Sequence, residues 1–314
     1  MRLIRDAVAV TLCALSFFTS SAHAATDYAK TQYPIILVHG VAGVSKYLGI
    51  VDYFWRVKGD LNYHGANVRV ANLSSFANEN LRGEKLLETV RQVMVETGAP
   101  KVNLVAHSQG GLSARYAAAV MPEAVASITT IGTPHRGSEV ADWIASTPSI
   151  VQNVIAGTAS LAGSLFSFMV GDPLPQDPFG ALNLMTTQGM ADFNRRYPSA
   201  GLGATCSSNG APVNVVNGHT HRLYSWTGTA GGTNILDVLD PVLVLGDLTI
   251  KLRGGGDNDG LVSVCSARFG QIVGAYNWNH VDEINHVFGL RSLFSADPVV
   301  VIRTHANRLK QAGL

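Results

Sequence analysis

Residues Val102 to Gly111, read as Val-Asn-Leu-Val-Ala-His-Ser-Gln-Gly-Gly, constrain this chain more than any other stretch. The apolar, β-branched-rich run Val102 to Ala106 follows Pro100 and stops at a turn, which predicts a buried strand. Gly110 and Gly111 then open a helical pattern from Leu112 to Val120. Strand, tight turn with Ser108 at its apex, helix: this arrangement presents a nucleophilic serine in a strained backbone conformation. Only small residues fit two places before and two places after that serine. Gly110 meets the second condition; Ala106 meets the first with one methyl group more than the strict G-x-S-x-G pattern. A serine N-cap at an ordinary strand-to-helix turn has the same local sequence, so the serine needs partners elsewhere.

Met1 to Ala24 combines Arg2 and Arg5, an apolar run from Ala7 to Phe18, and Ala22-His23-Ala24. This predicts a secretory signal, residues 1–24, with an A-x-A cleavage site; the run is too short for a spanning helix. The mature chain, 25–314, is then expected outside the cytoplasm, with no transmembrane segment. Removing Arg2, Arg5 and Asp6 turns 23 basic and 22 acidic residues into 21 of each. That balance excludes a basic nucleic-acid face. Cys13 leaves with the signal, so Cys206 and Cys265 remain, an even pair that reads as one disulfide in an oxidising compartment.

Tyr33-Pro34-Ile35-Ile36-Leu37-Val38-His39-Gly40-Val41-Ala42-Gly43 reads as an apolar strand ending in His39-Gly40, followed by small residues. In an acyl-transfer hydrolase, a backbone N–H here faces the developing oxyanion, with a second from the residue after the nucleophile. Val41 and Gln109 are the candidate donors. Tyr47 to His64 reads as loop and helix, Ala66 to Leu73 as a strand, Arg82 to Thr97 as an amphipathic helix, and Ile128 to Gly132 as a strand. Strand and helix alternate in the grammar of a mostly parallel, doubly wound α/β sheet. Helix signals recur at Gln188 to Tyr197, and Val213 to Val216 with Leu223 to Trp226 predicts a hairpin.

Between Ala141 and Val170 the chain is apolar and almost uncharged after Asp142. Such a helix belongs in a core or in a lid, and residues 149–175 are read as a lid for a substrate at a lipid–water interface. Gly254 to Gly256 then lead into Asp257-Asn258-Asp259-Gly260, an acid on a glycine-rich loop before a short strand. The spacing and terminal Glu of an EF-hand loop are absent, which excludes that reading. Asp259 is the preferred acid and Asp257 the alternative. His280 supplies the base, and the order Ser108, Asp259, His280 suits a nucleophile on this kind of sheet. His135 precedes both acids and is expected to order its own loop.

Together, His39-Gly40, His107 to Gly111, Thr133-Pro134-His135-Arg136-Gly137-Ser138, Asn258 to Val262, Asn279 to Asn285 and Thr304 to Lys310 resemble the secreted triacylglycerol lipases of Pseudomonas and Burkholderia. The resemblance runs from about residue 30 to 314. It implies a single α/β-hydrolase domain with a lid, one disulfide, one structural calcium ion and a membrane-anchored, lipase-specific foldase. It places the triad on Ser108, Asp259 and His280, the oxyanion donors on Val41 and Gln109, and the disulfide on Cys206 and Cys265. It places the calcium carboxylates on Asp240 and Asp282, with backbone carbonyls of His286 and Leu290. Two positions depart from the family: Ala106, and His286 where Gln is usual, which would set an imidazole beside the metal as a pH-sensitive neighbour. The expected substrate is a triglyceride at a lipid interface; a short-chain carboxylesterase would use the same triad with little need of a greasy lid. A non-catalytic lipid-binding relative would usually have lost one of the three triad residues.

Overall fold

The computed structural model describes residues 26–43, 45–47, 51–169, 174–286 and 288–314. The expected signal, residues 1–24, and residues 170–173 of the expected lid lie outside them.

Seven strands form the main sheet: β1 Ile35–Val38, β2 Val68–Val70, β3 Val102–His107, β4 Val125–Ile131, β5 Val213–Val216, β6 His219–Gly228 and β7 Gln271–Tyr276. Their order is β2-β1-β3-β4-β6, with β5 and β7 both on β6. Every pairing is parallel except β5 with β6, the predicted hairpin. Its turn, Asn217-Gly218, has both φ angles positive, at 50° and 81°, which matches the twist of the strands it joins.

Helices cover both faces: α1 Val57–Tyr63, α2 Glu79–Thr97, α3 Gly110–Val120, α4 Glu139–Ala145, α5 Ser149–Met169, α6 Pro178–Met185, α7 Thr187–Arg196, α8 Asp240–Leu252, α9 Val264–Ala267 and α10 Pro298–Gln311. Side chains alternate across a strand, so successive residues of β1 serve different cores. Ile36 and Val38 join Leu86, Leu104 and Ala117 in one; Ile35 and Leu37 join Val57, Leu61, Trp226 and Ile302 in the other. Both faces are therefore apolar, which explains the continuous hydrophobic runs in β1, β3 and β4. The helix α2 is fixed at its ends by Asn78, whose side chain accepts the Leu81 N–H, and by Gly98 in the left-handed region.

Several expected bounds differ: α2 begins at Glu79 rather than Arg82, and β4 at Val125 rather than Ile128. The strand read over Ala66 to Leu73 is only Val68–Val70, because Asn67 and Ala71 pair with β1 through single flanking bonds. No strand follows Gly260. Asp259 takes the amides of Leu261 and Val262 on its side chain, which closes a turn and leads into α9 instead. Cys206 and Cys265 form a disulfide with Cα atoms 4.9 Å apart, joining the loop after α7 to the start of α9.

Candidate active site

Parallel strands end on the same side of the sheet, and the loops leaving β1, β3 and β7 meet there. Ser108 follows β3 with φ at 56°, a left-handed conformation uncommon for a residue with a side chain and typical of strained functional turns. Its amide donates to the Ile131 carbonyl at 2.8 Å, anchoring the turn on β4. A Cβ on Gly110 would lie 2.5 Å from the Val38 carbonyl oxygen, so the helix can start this close to β1 only with glycine there. Ala106 sits in register between Val38 and Thr130 and is fully buried, its methyl part of the core. The departure from the strict elbow pattern is thus absorbed by packing.

His280 reaches Ser108 from the loop after β7. Its Nε2 lies 2.9 Å from Ser108 Oγ and its Nδ1 2.8 Å from Asp259 Oδ2. The other Asp259 oxygen accepts the Leu261 and Val262 amides at 2.9 and 2.7 Å. All three side chains are buried. Asp257, by contrast, is exposed. His135 is buried away from this chain of contacts, its Nε2 3.1 Å from Thr130 Oγ1 and its ring stacked on Phe269.

Gly40 runs against the serine: a Cβ there would lie 2.5 Å from Ser108 Cβ. Val41, one residue on, lines the same cavity as Ser108. Among the described residues no hydrogen bond engages the amides of Val41 or Gln109. The cavity measures about 220 Å³, and its walls include Phe76, Ile144, Ile155, Phe179 and Leu261. Serine, imidazole and carboxylate thus stand in hydrogen-bonding order at the floor of an apolar pocket.

A family model described as the alpha/beta hydrolase fold matches residues 33–283. A triacylglycerol lipase of Burkholderia plantarii is 47% identical over 94% of this chain and 90% of its own. The chain belongs to the triacylglycerol lipases of the α/β-hydrolase fold. A triacylglycerol lipase of Pseudarthrobacter phenanthrenivorans is likewise 47% identical, over 92% of this chain and all of its own. Among solved structures, the mature lipase of Bacillus licheniformis superposes with a TM-score of 0.59 at 21% identity, covering 91% of this chain and 94% of its own. The protein is a lipase, a hydrolase by class.

Several polar groups around the site were not singled out in the sequence. Glu283, fully buried, accepts the Gly228 amide at 2.5 Å and the Thr227 hydroxyl at 3.2 Å on one oxygen. Burial, then the neighbouring Asp259, push its carboxyl well above the usual carboxylate range. His107, His280 and Glu283 bring ligand-type atoms within 4.8 Å of one another, a grouping of the kind that can hold a metal ion. The donor set suits a metal poorly. Both His280 nitrogens face Ser108 and Asp259, His107 Nε2 faces the His280 carbonyl at 2.8 Å, and burial works against a charge on Glu283.

A second group of acids lies behind the histidine loop. Asp240 Oδ2 accepts the amides of Thr233 and Asn234, both at 2.7 Å, and its Oδ1 accepts from Asn279 Nδ2 at 2.7 Å. Asp282 Oδ2 accepts the Thr233 hydroxyl at 2.7 Å and the Asn279 amide at 3.2 Å. Asp282 Oδ1 and Asp237 Oδ2 are buried without a hydrogen-bond partner. Burial, reinforced by the charges of Asp237 and Asp240, pushes Asp282 up to about 7. His286 and Leu290 follow on the same loop. The His286 ring stacks on Tyr53, and burial lowers it to about 4, so it is neutral rather than pH-sensitive near pH 7. No helix among the described residues is long and apolar enough to cross a membrane.

Proposed function

We propose that the enzyme hydrolyses acylglycerol esters at lipid–water interfaces through an acyl-enzyme on Ser108. His280 Nε2 takes the hydroxyl proton as Ser108 Oγ attacks the ester carbonyl; Asp259 holds the tautomer with its proton on Nδ1 and stabilises the imidazolium. The amides of Val41 and Gln109 receive the oxyanion. His280 then returns its proton to the departing glycerol oxygen, and water repeats the sequence in reverse to free the fatty acid. The contact pair of 2.9 and 2.8 Å at the floor of an apolar cavity carries this reading. Ser108→Ala is the test: turnover should fall by about 10⁶ with folding intact. Retention of a tenth of the activity overturns the assignment.

The α5 helix supports a lipase over a short-chain carboxylesterase. Ile150, Val151 and Val154 are exposed on it, while Ile155 and Ala156 line the cavity. A helix greasy on both sides suits a lid that meets lipid when it opens.

The Asp240 and Asp282 carboxylates, with the His286 and Leu290 carbonyls, would hold one calcium ion. Buried acid oxygens without partners are what a hard, oxygen-seeking cation satisfies. Its part would be structural, bracing the loop that aims His280. Export through the periplasm follows from the predicted signal at residues 1–24 and agrees with the Cys206–Cys265 disulfide, a bond of oxidising compartments. A dedicated foldase is the partner expected during that passage. Refolding the denatured chain with and without a co-expressed foldase tests it: recovery of full activity from the chain alone excludes the requirement.

A further inference from the structure

We infer that Tyr53 and His107 form a positioning relay that locks the oxyanion loop, the serine turn and the histidine loop in register. The inference rests on the Ser108–His280–Asp259 reading and adds two residues that act through others.

Tyr53 stands just before α1, 13 residues after Gly40 and 54 before His107, and its side chain is buried. Its hydroxyl oxygen lies 3.1 Å from the Gly40 amide and 2.7 Å from His107 Nδ1. His107 Nε2 lies 2.8 Å from the carbonyl oxygen of His280, and 3.3 Å from Glu283 Oε2. Directions follow from donor chemistry. A carbonyl can only accept, so His107 Nε2 carries the ring proton. Burial keeps this imidazole neutral, which leaves Nδ1 bare. The Tyr53 hydroxyl must then donate to Nδ1, and its oxygen accepts the Gly40 N–H. Every group has one role, and the chain runs one way: Gly40 N–H to Tyr53 Oη–H to His107, and His107 Nε2–H to the His280 carbonyl.

Each end of the relay is one covalent step from the chemistry. Gly40 precedes Val41, His107 precedes Ser108, and the accepting carbonyl belongs to His280 itself. The ring of Tyr53 is held from several sides, within 5.1–6.1 Å of Phe54, His39, His107 and His286, so its hydroxyl has little freedom to move. A donor aimed at an oxyanion acts only when fixed beforehand, and a misplacement of about 1 Å costs up to about 10²-fold in rate.

The test is Tyr53→Phe, which keeps the ring and removes the relay. With a water-soluble short-chain ester well below the melting temperature, kcat should fall about tenfold, less than the about 10²–10³ lost with a direct oxyanion donor, while KM changes less than twofold. His107→Gln should lose a similar factor, and the double variant no more than the worse single one, because the two act as one wire. Wild-type kcat in Tyr53→Phe, or losses that multiply, overturns the relay. A phosphonate that labels Ser108 in both wild type and variant separates this outcome from failure of the triad itself. Should Tyr53→Phe not fold, ¹⁵N NMR of the wild-type imidazoles decides: His107 should be protonated on Nε2 and bare on Nδ1, and the opposite tautomer refutes the relay.

Discussion

Asn279 ties Asp240 to the histidine loop, donating from Nδ2 to Asp240 Oδ1 at 2.7 Å from the position immediately before His280. Asp240 begins α8, so the N-terminus of a helix 39 residues away in sequence is tethered to the residue preceding the proposed base. Calcium held by Asp240 and Asp282 would stiffen this tether. Chelation should lower the melting temperature measured by calorimetry and slowly drain activity, with restoration by calcium and little by magnesium, which demands tighter octahedral geometry. Asp240→Ala should erase the calcium-dependent increment. The same thermal gain in that variant would place the ion elsewhere.

Asp259 and Asp257 are separated by one residue and by the whole difference between buried and exposed. Asp259→Asn should lower kcat by about 10⁴, since the amide favours the wrong imidazole tautomer. Asp257→Asn should cost less than about tenfold, in line with an exposed side chain outside the contact chain. Steady-state rates on a soluble ester compare the two directly; reversed losses would reassign the acid.

Stability should peak near pH 6.5 in calcium-free buffer. Six histidines, His39, His107, His135, His221, His286 and His305, are lowered from 6.5, in every case chiefly by burial. Their contribution is complete above pH 6.5 and is lost as pH falls toward the folded values, about 3 for His39 and His305. Four carboxyls, Glu79, Asp237, Asp282 and Glu283, are raised by burial, Glu79 to about 8. Theirs is complete below the ordinary carboxylate range and is lost as pH rises through the folded values. On the acid side the histidines outnumber the carboxyls, so unfolding takes up protons and stability falls as the pH drops below 6.5. Urea titrations at stepped pH measure this slope; a flat profile from pH 5 to 7 contradicts it.

The α5 helix should control access to Ser108. Reaction of a phosphonate inhibitor at Ser108 should accelerate when micelles are added, and an engineered disulfide pinning α5 over the cavity should block activity until reduced. Full activity of the pinned, oxidised form would exclude a lid. Independently, Ala159→Trp should fill the cavity that Ala159 lines and shift preference from long to short acyl chains by about 10-fold or more. An unchanged chain-length profile would place the acyl group elsewhere.

The sheet was legible because β1, β3 and β4 are buried on both faces and so read as unbroken apolar runs. Val102 to Gly111 carried strand, turn and helix in ten residues, and the structure puts β3, Ser108 and α3 on them. Ser108, His280 and Asp259 stand in hydrogen-bond contact, and a turn closed on one Asp259 oxygen replaces the strand expected after Gly260. Tyr53 and Glu283 were illegible for a plain reason. Tyr53 reaches His107 across 54 residues and Glu283 reaches Thr227 across 56, and no local pattern marks a hydroxyl or carboxyl that will be buried. The clue for Glu283 was its place three residues after His280, in a loop too polar to be buried without partners.

The hydrogen bond between Ser108 and His280 spans 172 residues, and it has a consequence for the order in which the protein comes alive. Synthesis delivers the strained serine turn and the oxyanion loop long before the base, and a parallel sheet closes slowly because its neighbours are far apart along the chain. Until β7 docks on β6 and brings the histidine loop over the serine, the nucleophile has nothing to take its proton. On the proposed assignment hydrolysis therefore begins only once that loop has docked. A half-folded molecule is thereby inert toward the lipid around it.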